Sequence, residues 1–176
     1  MINQVLSFKN ITKKYGDLVA LKNISFSIPE NSIFGILGAN GSGKSTLMKI
    51  LPGLISNWSG EILYKGNVIK KNSMELKKDF GYLIEAPSFY GHLSAKKNLE
   101  ILSRISTSNI ERINYVLEIV NLSMRSNDKV DSYSYGMKQR LGIAQSLLHD
   151  PEIIILDEPN NGLDPNGIKN MSLLIK

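Results

Sequence analysis

Gly38-Ala39-Asn40-Gly41-Ser42-Gly43-Lys44-Ser45-Thr46 decides the fold of this chain. It reads G-x-x-x-x-G-K-S, the pattern of a phosphate-binding loop. That pattern has meaning only between a strand and a helix, and both flanks comply. Ile33-Phe-Gly-Ile-Leu37 is a short apolar run of strand type. Thr46-Leu-Met-Lys-Ile-Leu51 reads as a helix, stopped by Pro52-Gly53. Glycines at 38, 41 and 43 let backbone N–H groups turn inward around an anion with no Cβ in the way. The helix start adds partial positive charge at the same place. In such a loop Lys44 reaches the β- and γ-phosphates, and the Ser45 hydroxyl ligates Mg²⁺.

Working outward, two alternating segments precede the loop. Residues 5–11 and 18–28 read as strands, with a turn at Tyr15-Gly16-Asp17. This is a hairpin-like antiparallel pair. Tyr15 stands at the turn, where it either packs or stacks on a nucleotide base. Downstream, Gly60-Glu-Ile-Leu-Tyr-Lys-Gly66 is a short strand bounded by glycines. Phe80-Gly-Tyr-Leu-Ile-Glu85 is another, ended by Ala86-Pro87. Glu85 therefore sits at a strand end facing a loop.

The period then changes. Ser94 is a plausible N-cap, and Leu99, Leu102 and Ile105 follow at helical spacing. A second helix starts near Ile110, with Ile113, Val116, Leu117 and Val120 on one face. In Asp131-Ser-Tyr-Ser-Tyr-Gly-Met-Lys-Gln-Arg140, Ser134 caps a third helix that carries Leu141, Ala144, Leu147 and Leu148. A helical insert of about residues 94–145 thus interrupts a chain otherwise built from βα units. Glu152-Ile-Ile-Ile-Leu-Asp157-Glu158-Pro159 follows, an apolar run expected to be a fully buried parallel strand. Its two terminal acids lie where open α/β sheets bind ligands. With a phosphate loop upstream, Asp157 reads as a holder of Mg²⁺ opposite Ser45. Glu158 reads as the base that orients and polarises a water.

Composition agrees and excludes. A length of 176 residues suits one domain with a real core. The net charge of +5 is mild, and Lys13, Lys14, Lys70, Lys71, Lys77 and Lys78 read as solvated. The absence of cysteine excludes a disulfide framework. No apolar run approaches the ~18 residues of a membrane span, and the N-terminus lacks a signal-peptide layout. A membrane role would need a separate partner.

Together these residues resemble the ATP-binding subunit of an ABC transporter, from about Ile2 to the chain end. GANGSGKST, YSYGMKQR, IIILDEP and the turn Asn161-Gly-Leu-Asp164 coincide in order and spacing. Ser134-Tyr-Gly136-Met resembles the family signature usually written LSGGQ. The resemblance implies an α/β fold of the P-loop NTPase, ABC type. That fold has a mainly parallel core sheet, an N-terminal antiparallel β part and the helical insert. It implies that Tyr15 stacks on adenine and that Gly38, Ala39, Asn40, Gly41, Ser42, Gly43, Lys44, Ser45 and Thr46 wrap the triphosphate of ATP. It implies Mg²⁺ organised by Ser45 and Asp157, and Glu158 as catalytic carboxylate. Ser134 and Gly136 would contact the γ-phosphate held by a second ATP-binding subunit in a head-to-tail dimer, with Asp164 communicating across it. A membrane-spanning permease is the other implied partner, at the cytoplasmic face of a bacterial cell membrane.

Glu85 stands where the family usually has Gln. Together with Gly81-Tyr-Leu-Ile-Glu-Ala-Pro-Ser-Phe-Tyr-Gly-His-Leu-Ser, it resembles the subgroup exporting bacitracin and lantibiotics. Glu85 would there meet water and Mg²⁺. The family's switch histidine, on a later core strand, has no counterpart in His92 or His149. The expectation is accordingly a single domain over 1–176, incomplete at its C-terminus. Export of a peptide antibiotic is the leading function. A nucleotide-binding remnant without turnover and a soluble ATPase outside transport are the alternatives. A nucleic-acid partner is not expected. The DNA-repair type needs a long coiled coil between Ser45 and Ser134, and these lie only about 90 residues apart without sustained heptads. A nucleotide kinase leaves Ser134–Gly136 and Asn161–Asp164 unexplained.

Overall fold

A computed structural model describes residues 3–69, 78–105 and 109–176. The chain divides into two compact units, residues 1–75 and 76–176.

The first unit is a four-stranded antiparallel sheet in the order β2-β1-β3-β4 plus one helix. β1 (Gln4–Tyr15) and β2 (Leu18–Pro29) form the expected hairpin around Gly16-Asp17. β3 (Trp58–Tyr64) pairs antiparallel with β1, and Lys65-Gly66 turns it into the two-residue β4 (Asn67–Val68). Alternation sends Leu6, Phe8, Ile11, Leu21, Ile62 and Tyr64 inward. The pairing slips at Asn10, whose positive φ of 55° marks a bulge. Gly60 faces that bulge, and a Cβ there would overlap the carbonyl oxygens of Lys9 and Asn10. α1 (Lys44–Ile50) begins directly after Gly43 and buries Leu47 and Ile50.

Two expectations fail in this unit. Ile33–Leu37 is not a strand: residues 32–39 have no regular structure, and Ile33 and Leu37 are 70% and 95% exposed. An apolar run becomes a strand only where a neighbour satisfies its backbone groups. No described strand pairs with it; Phe34 is held instead by stacking on Phe26 at 5.4 Å. Lys13 is not solvated but 7% exposed. Its ammonium donates to the Ser56 and Asn57 carbonyls at 2.7 and 3.3 Å and lies 4.6 Å over the Tyr15 ring. Lys14 and Lys78 are exposed as expected, while residues 70, 71 and 77 lie outside the described residues.

The second unit packs helices on a parallel pair, β5 (Phe80–Leu83) and β6 (Ile153–Leu156), registered from Phe80↔Ile153 to Leu83↔Leu156. α2 (Ala95–Ile105), α3 (Arg112–Ile119) and α4 (Tyr135–Leu147) supply the core residues Leu99, Ile113, Val116, Leu117 and Leu141. Ile105 ends the α2 stripe but is 76% exposed. α5 (Pro165–Ile175) buries Met171 and lays Leu174 and Ile175 against the same core. α4 sits very close to β5. A Cβ at Gly81 would overlap the Ser146 carbonyl oxygen, and one at Gly142 would meet the Leu83 side chain. β6 is not fully buried, since Ile154 is 41% exposed. Among the described residues β6 has one strand neighbour and is therefore an edge.

Burial pushes the Tyr82 phenol on β5 well above the usual tyrosine range. Burial raises Tyr133 as well, helped by Asp128 and opposed by Arg125 and Arg140. A raised folded-state value means that the folded protein holds its proton longer than the unfolded chain does. The associated stability is therefore complete below the unfolded value of about 10 and is lost as pH rises beyond it. Urea unfolding at successive pH values should show that alkaline decline, and Tyr82→Phe should flatten it. An unchanged slope would show that Tyr82 ionises freely.

Candidate functional site

The phosphate loop is shaped by its glycines. Gly41 and Gly43 have φ of 80° and 94°, in the left-handed region that side chains resist. Gly43 also passes so close to the Ala20 carbonyl oxygen that no Cβ would fit. Ser42 N donates to Ala39 O at 3.1 Å, closing the loop on itself. The Lys44 ammonium lies within the loop and donates to the Gly38 and Ala39 carbonyls at 2.9 and 3.0 Å. The lysine is thus extended along the loop that a polyphosphate would enter. Ser45 and Thr46, in the first turn of α1, are half-buried. Tyr15 ends β1 in the same unit, 46% exposed with the Lys13 ammonium on one ring face.

The acids belong to the second unit. Asp157 N donates to Leu83 O at 2.9 Å, closing the carboxyl end of the β5–β6 ladder. Glu85 and Glu158 each stand two residues beyond that paired end. Both adopt positive φ, 72° and 47°, which costs a residue with a Cβ about 1–3 kcal/mol. The turns they make carry the chain off the sheet, so Glu85, Asp157 and Glu158 all follow the carboxyl ends of the paired strands. Asp157 Oδ1 is buried and has no hydrogen-bond partner. A buried carboxylate oxygen without a donor is costly, and a hard cation satisfies it.

Ser134 caps α4 as expected: its backbone is extended and its Oγ accepts from Met137 N at 3.3 Å. Asp164 caps α5, accepting from Gly167 N at 2.8 Å, with Pro165 in the first turn. The two caps adjoin. Gly162 lies against the Tyr135 ring, and Gly136 against Leu163. A cavity of about 460 Å³ opens between them, lined by Ser134, Gly136, Arg140, Asp164 and Asn170 among others. His149 is structural: its Nε2 lies 3.0 Å from Phe80 O, at the start of β5.

Asn98 was not among the residues singled out from sequence. It is 2% exposed on α2. Its Oδ1 accepts from Tyr90 N at 2.8 Å, and its Nδ2 donates to Tyr90 O and Ser94 O at 3.1 and 3.0 Å. The loop after Glu85 is thereby clamped to α2. It is also tied to the segment before α4, through Asp131 N to Gly91 O and Val130 N to Leu93 O, each 3.0 Å. A signal was present. Asn98 occupies the apolar face defined by Ala95, Leu99 and Leu102, where a polar residue needs a buried partner.

Residues 21–161 match the protein family described as "ABC transporter". The chain is 42% identical over 175 residues to the bacitracin transport ATP-binding protein BcrA of Bacillus licheniformis, covering 99% of this chain and 57% of that one. It is 39% identical over 172 residues to the lantibiotic transport ATP-binding protein SrtF of Streptococcus pyogenes, covering 98% and 74%. The structure superposes with a TM-score of 0.88 on cbiO1 from Clostridium perfringens, part of the ABC transporter complex cbiONQ, at 28% identity and covering 98% and 72%. The chain spans little more than half the length of several curated relatives, 55–58%. No helix among the described residues is long and apolar enough to cross a membrane.

The Ser134 cap generates a prediction that separates its local role from any role toward a ligand. Ser134→Ala should cost about 0.5–2 kcal/mol of stability, and Ser134→Gly only a few tenths. Urea denaturation of the three forms checks the order. Equal stability of all three would show that the hydroxyl does not cap α4.

Proposed function

We propose that this chain, which belongs to the ABC transporter family, binds and hydrolyses ATP to drive export of a peptide antibiotic of the bacitracin or lantibiotic type. The observation that carries the reading is Asp157 Oδ1, a buried carboxylate oxygen without a partner at the end of a parallel strand. A divalent cation is what such an atom lacks. The hydroxyl of Ser45 and the carboxylate of Asp157 are hard oxygen donors of the kind Mg²⁺ takes, with Glu85 as a further one. No cluster of three or more His, Asp or Glu among the described residues forms a protein cage. That suits Mg²⁺, which keeps waters and substrate phosphates in its shell. When bound, Mg²⁺ would neutralise charge on the phosphates.

The chain's own residues do the rest. The amides of Gly38 to Thr46 cradle the triphosphate, and Lys44 exchanges its two loop carbonyls for phosphate oxygens. Tyr15 offers its exposed ring to adenine. Glu158 orients water and accepts its proton. Ser134, Gly136 and Asp164, gathered at the adjoining caps of α4 and α5, face the nucleotide of a second subunit in a head-to-tail pair. The clamped loop Pro87–Leu93, with Tyr90 58% exposed, and the helical insert face a membrane-spanning permease at the cytoplasmic side. Residues 1–176 belong to one ATP-binding domain, and nucleic acid is not a partner. The names of the two relatives support the cargo class.

Two substitutions test this. A charged hydrogen bond to phosphate contributes about 1.5–3 kcal/mol, so Lys44→Ala should weaken ATP-analogue binding about tenfold or more. Equal affinities in a fluorescence titration would remove the loop from the site. Glu158→Gln keeps the shape but not the proton acceptor, and phosphate release in the assembled transporter should fall by about 10²-fold or more. ATP binding should persist in this variant. Undiminished release would reject Glu158 as the base.

A further inference from the structure

The dipeptide Asn-Gly occurs at Asn40-Gly41, Asn161-Gly162 and Asn166-Gly167. Asparagine before glycine is chemically labile. The following residue has no side chain to hinder attack of its backbone nitrogen on the asparagine amide carbon. The three copies share their chemistry and differ in their surroundings. Gly167 lies in the first turn of α5, and its amide is committed to Asp164 Oδ1 at 2.8 Å. Gly162 is packed on the Tyr135 ring. Asn161 is held through its backbone N to Glu158 O at 2.9 Å, with its side-chain nitrogen 3.5 Å from Glu158 Oε2. Asn40 and Gly41 are both exposed, an exposure shared by Asn161 and Gly162. Nothing stands within 4 Å of where a Gly41 Cβ would be. The loop hydrogen bond from Ser42 N to Ala39 O spans the dipeptide without engaging the Gly41 amide.

We propose that Asn40 is the chain's site of spontaneous deamidation, and that the modified loop binds polyphosphate more weakly. The Gly41 nitrogen attacks Cγ of Asn40. The N–Cγ bond forms, the amide C–N bond breaks, and the side-chain nitrogen leaves as ammonia, carrying the proton lost by the Gly41 amide. Water then opens the cyclic imide at either carbonyl, leaving aspartate or isoaspartate. No oxidant or reductant is involved. Each product puts a carboxylate beside the amides and the Lys44 ammonium that would receive phosphate, and like charges repel there. Isoaspartate also lengthens the backbone of a loop whose shape depends on Gly41 and Gly43. The consequence rests on the nucleotide-binding reading; the site itself rests on the freedom of the dipeptide.

The test is incubation of the purified chain at mildly alkaline pH, with and without Mg-ATP, followed by peptide mapping at all three dipeptides. Asn40 should convert severalfold faster than Asn161 and Asn166, faster still as pH rises, and more slowly under Mg-ATP. Conversion at Asn161 or Asn166 as fast as at Asn40 overturns the proposal. If Asn40 leads but Mg-ATP gives no protection, the deamidation site stands and the assignment of the loop to nucleotide fails instead. Asn40→Asp and Asn40→Gln, compared by titration with an ATP analogue, isolate the charge. Weaker binding by the Asp form supports the stated consequence, and equal binding by the two overturns it.

Discussion

The parallel pairing of β5 with β6 is the constraint on which the second unit depends. Four residues on each strand share one register, and the bond from Asp157 N to Leu83 O closes its carboxyl end. A slip by one residue would turn every side chain to the opposite face. It would also move Asp157 away from the position in which one of its oxygens is buried without a partner. The register therefore sets where the acids stand, and the left-handed turns at Glu85 and Glu158 set how the chain leaves them.

The helices answer to the same pair. α4 comes close to β5 because Gly81 and Gly142 have no side chains to hold them apart. His149 ties the far end of α4 to the start of β5 through the Phe80 carbonyl. With α4 placed, Tyr135 and Gly136 at its beginning meet Gly162 and Leu163 of the turn that leads into α5. The core of Leu99, Val116, Leu117 and Leu141 fills the space behind them. Core burial supplies the favourable term, and the glycines decide how near the elements come.

In the first unit the order of cause is reversed, because the candidate site, the glycine loop, is made of backbone. Its amides are positioned at Gly41 and Gly43 by φ values that only glycine adopts freely, so composition at two positions is much of the design. Lys44, bonded to the carbonyls of its own loop, is ordered there, which would lower the entropy lost on binding a ligand. Lys13, read from sequence as solvated, shows the limit of such reading. A lysine is drawn inward when two carbonyls and an aromatic face replace its water; the ring is that of nearby Tyr15, but the carbonyls belong to Ser56 and Asn57, far along the chain.

By itself the sequence determined the features that depend on neighbours along the chain. These are the glycine loop and the helix after it, the cap at Ser134, the alternating strands, and the acids ending an apolar run. Each follows from periodicity, capping chemistry or glycine freedom within a few residues. Only the tertiary structure decided what depends on partners far away. Ile33–Leu37 has the composition of a strand yet forms none, because a strand requires a neighbour's hydrogen bonds. Ile154 is exposed although its run reads as buried, because burial needs elements on both sides. Asn98 becomes a clamp on Tyr90, and Asp157 keeps an unsatisfied oxygen, because hydrogen-bond satisfaction is settled in space and not along the chain.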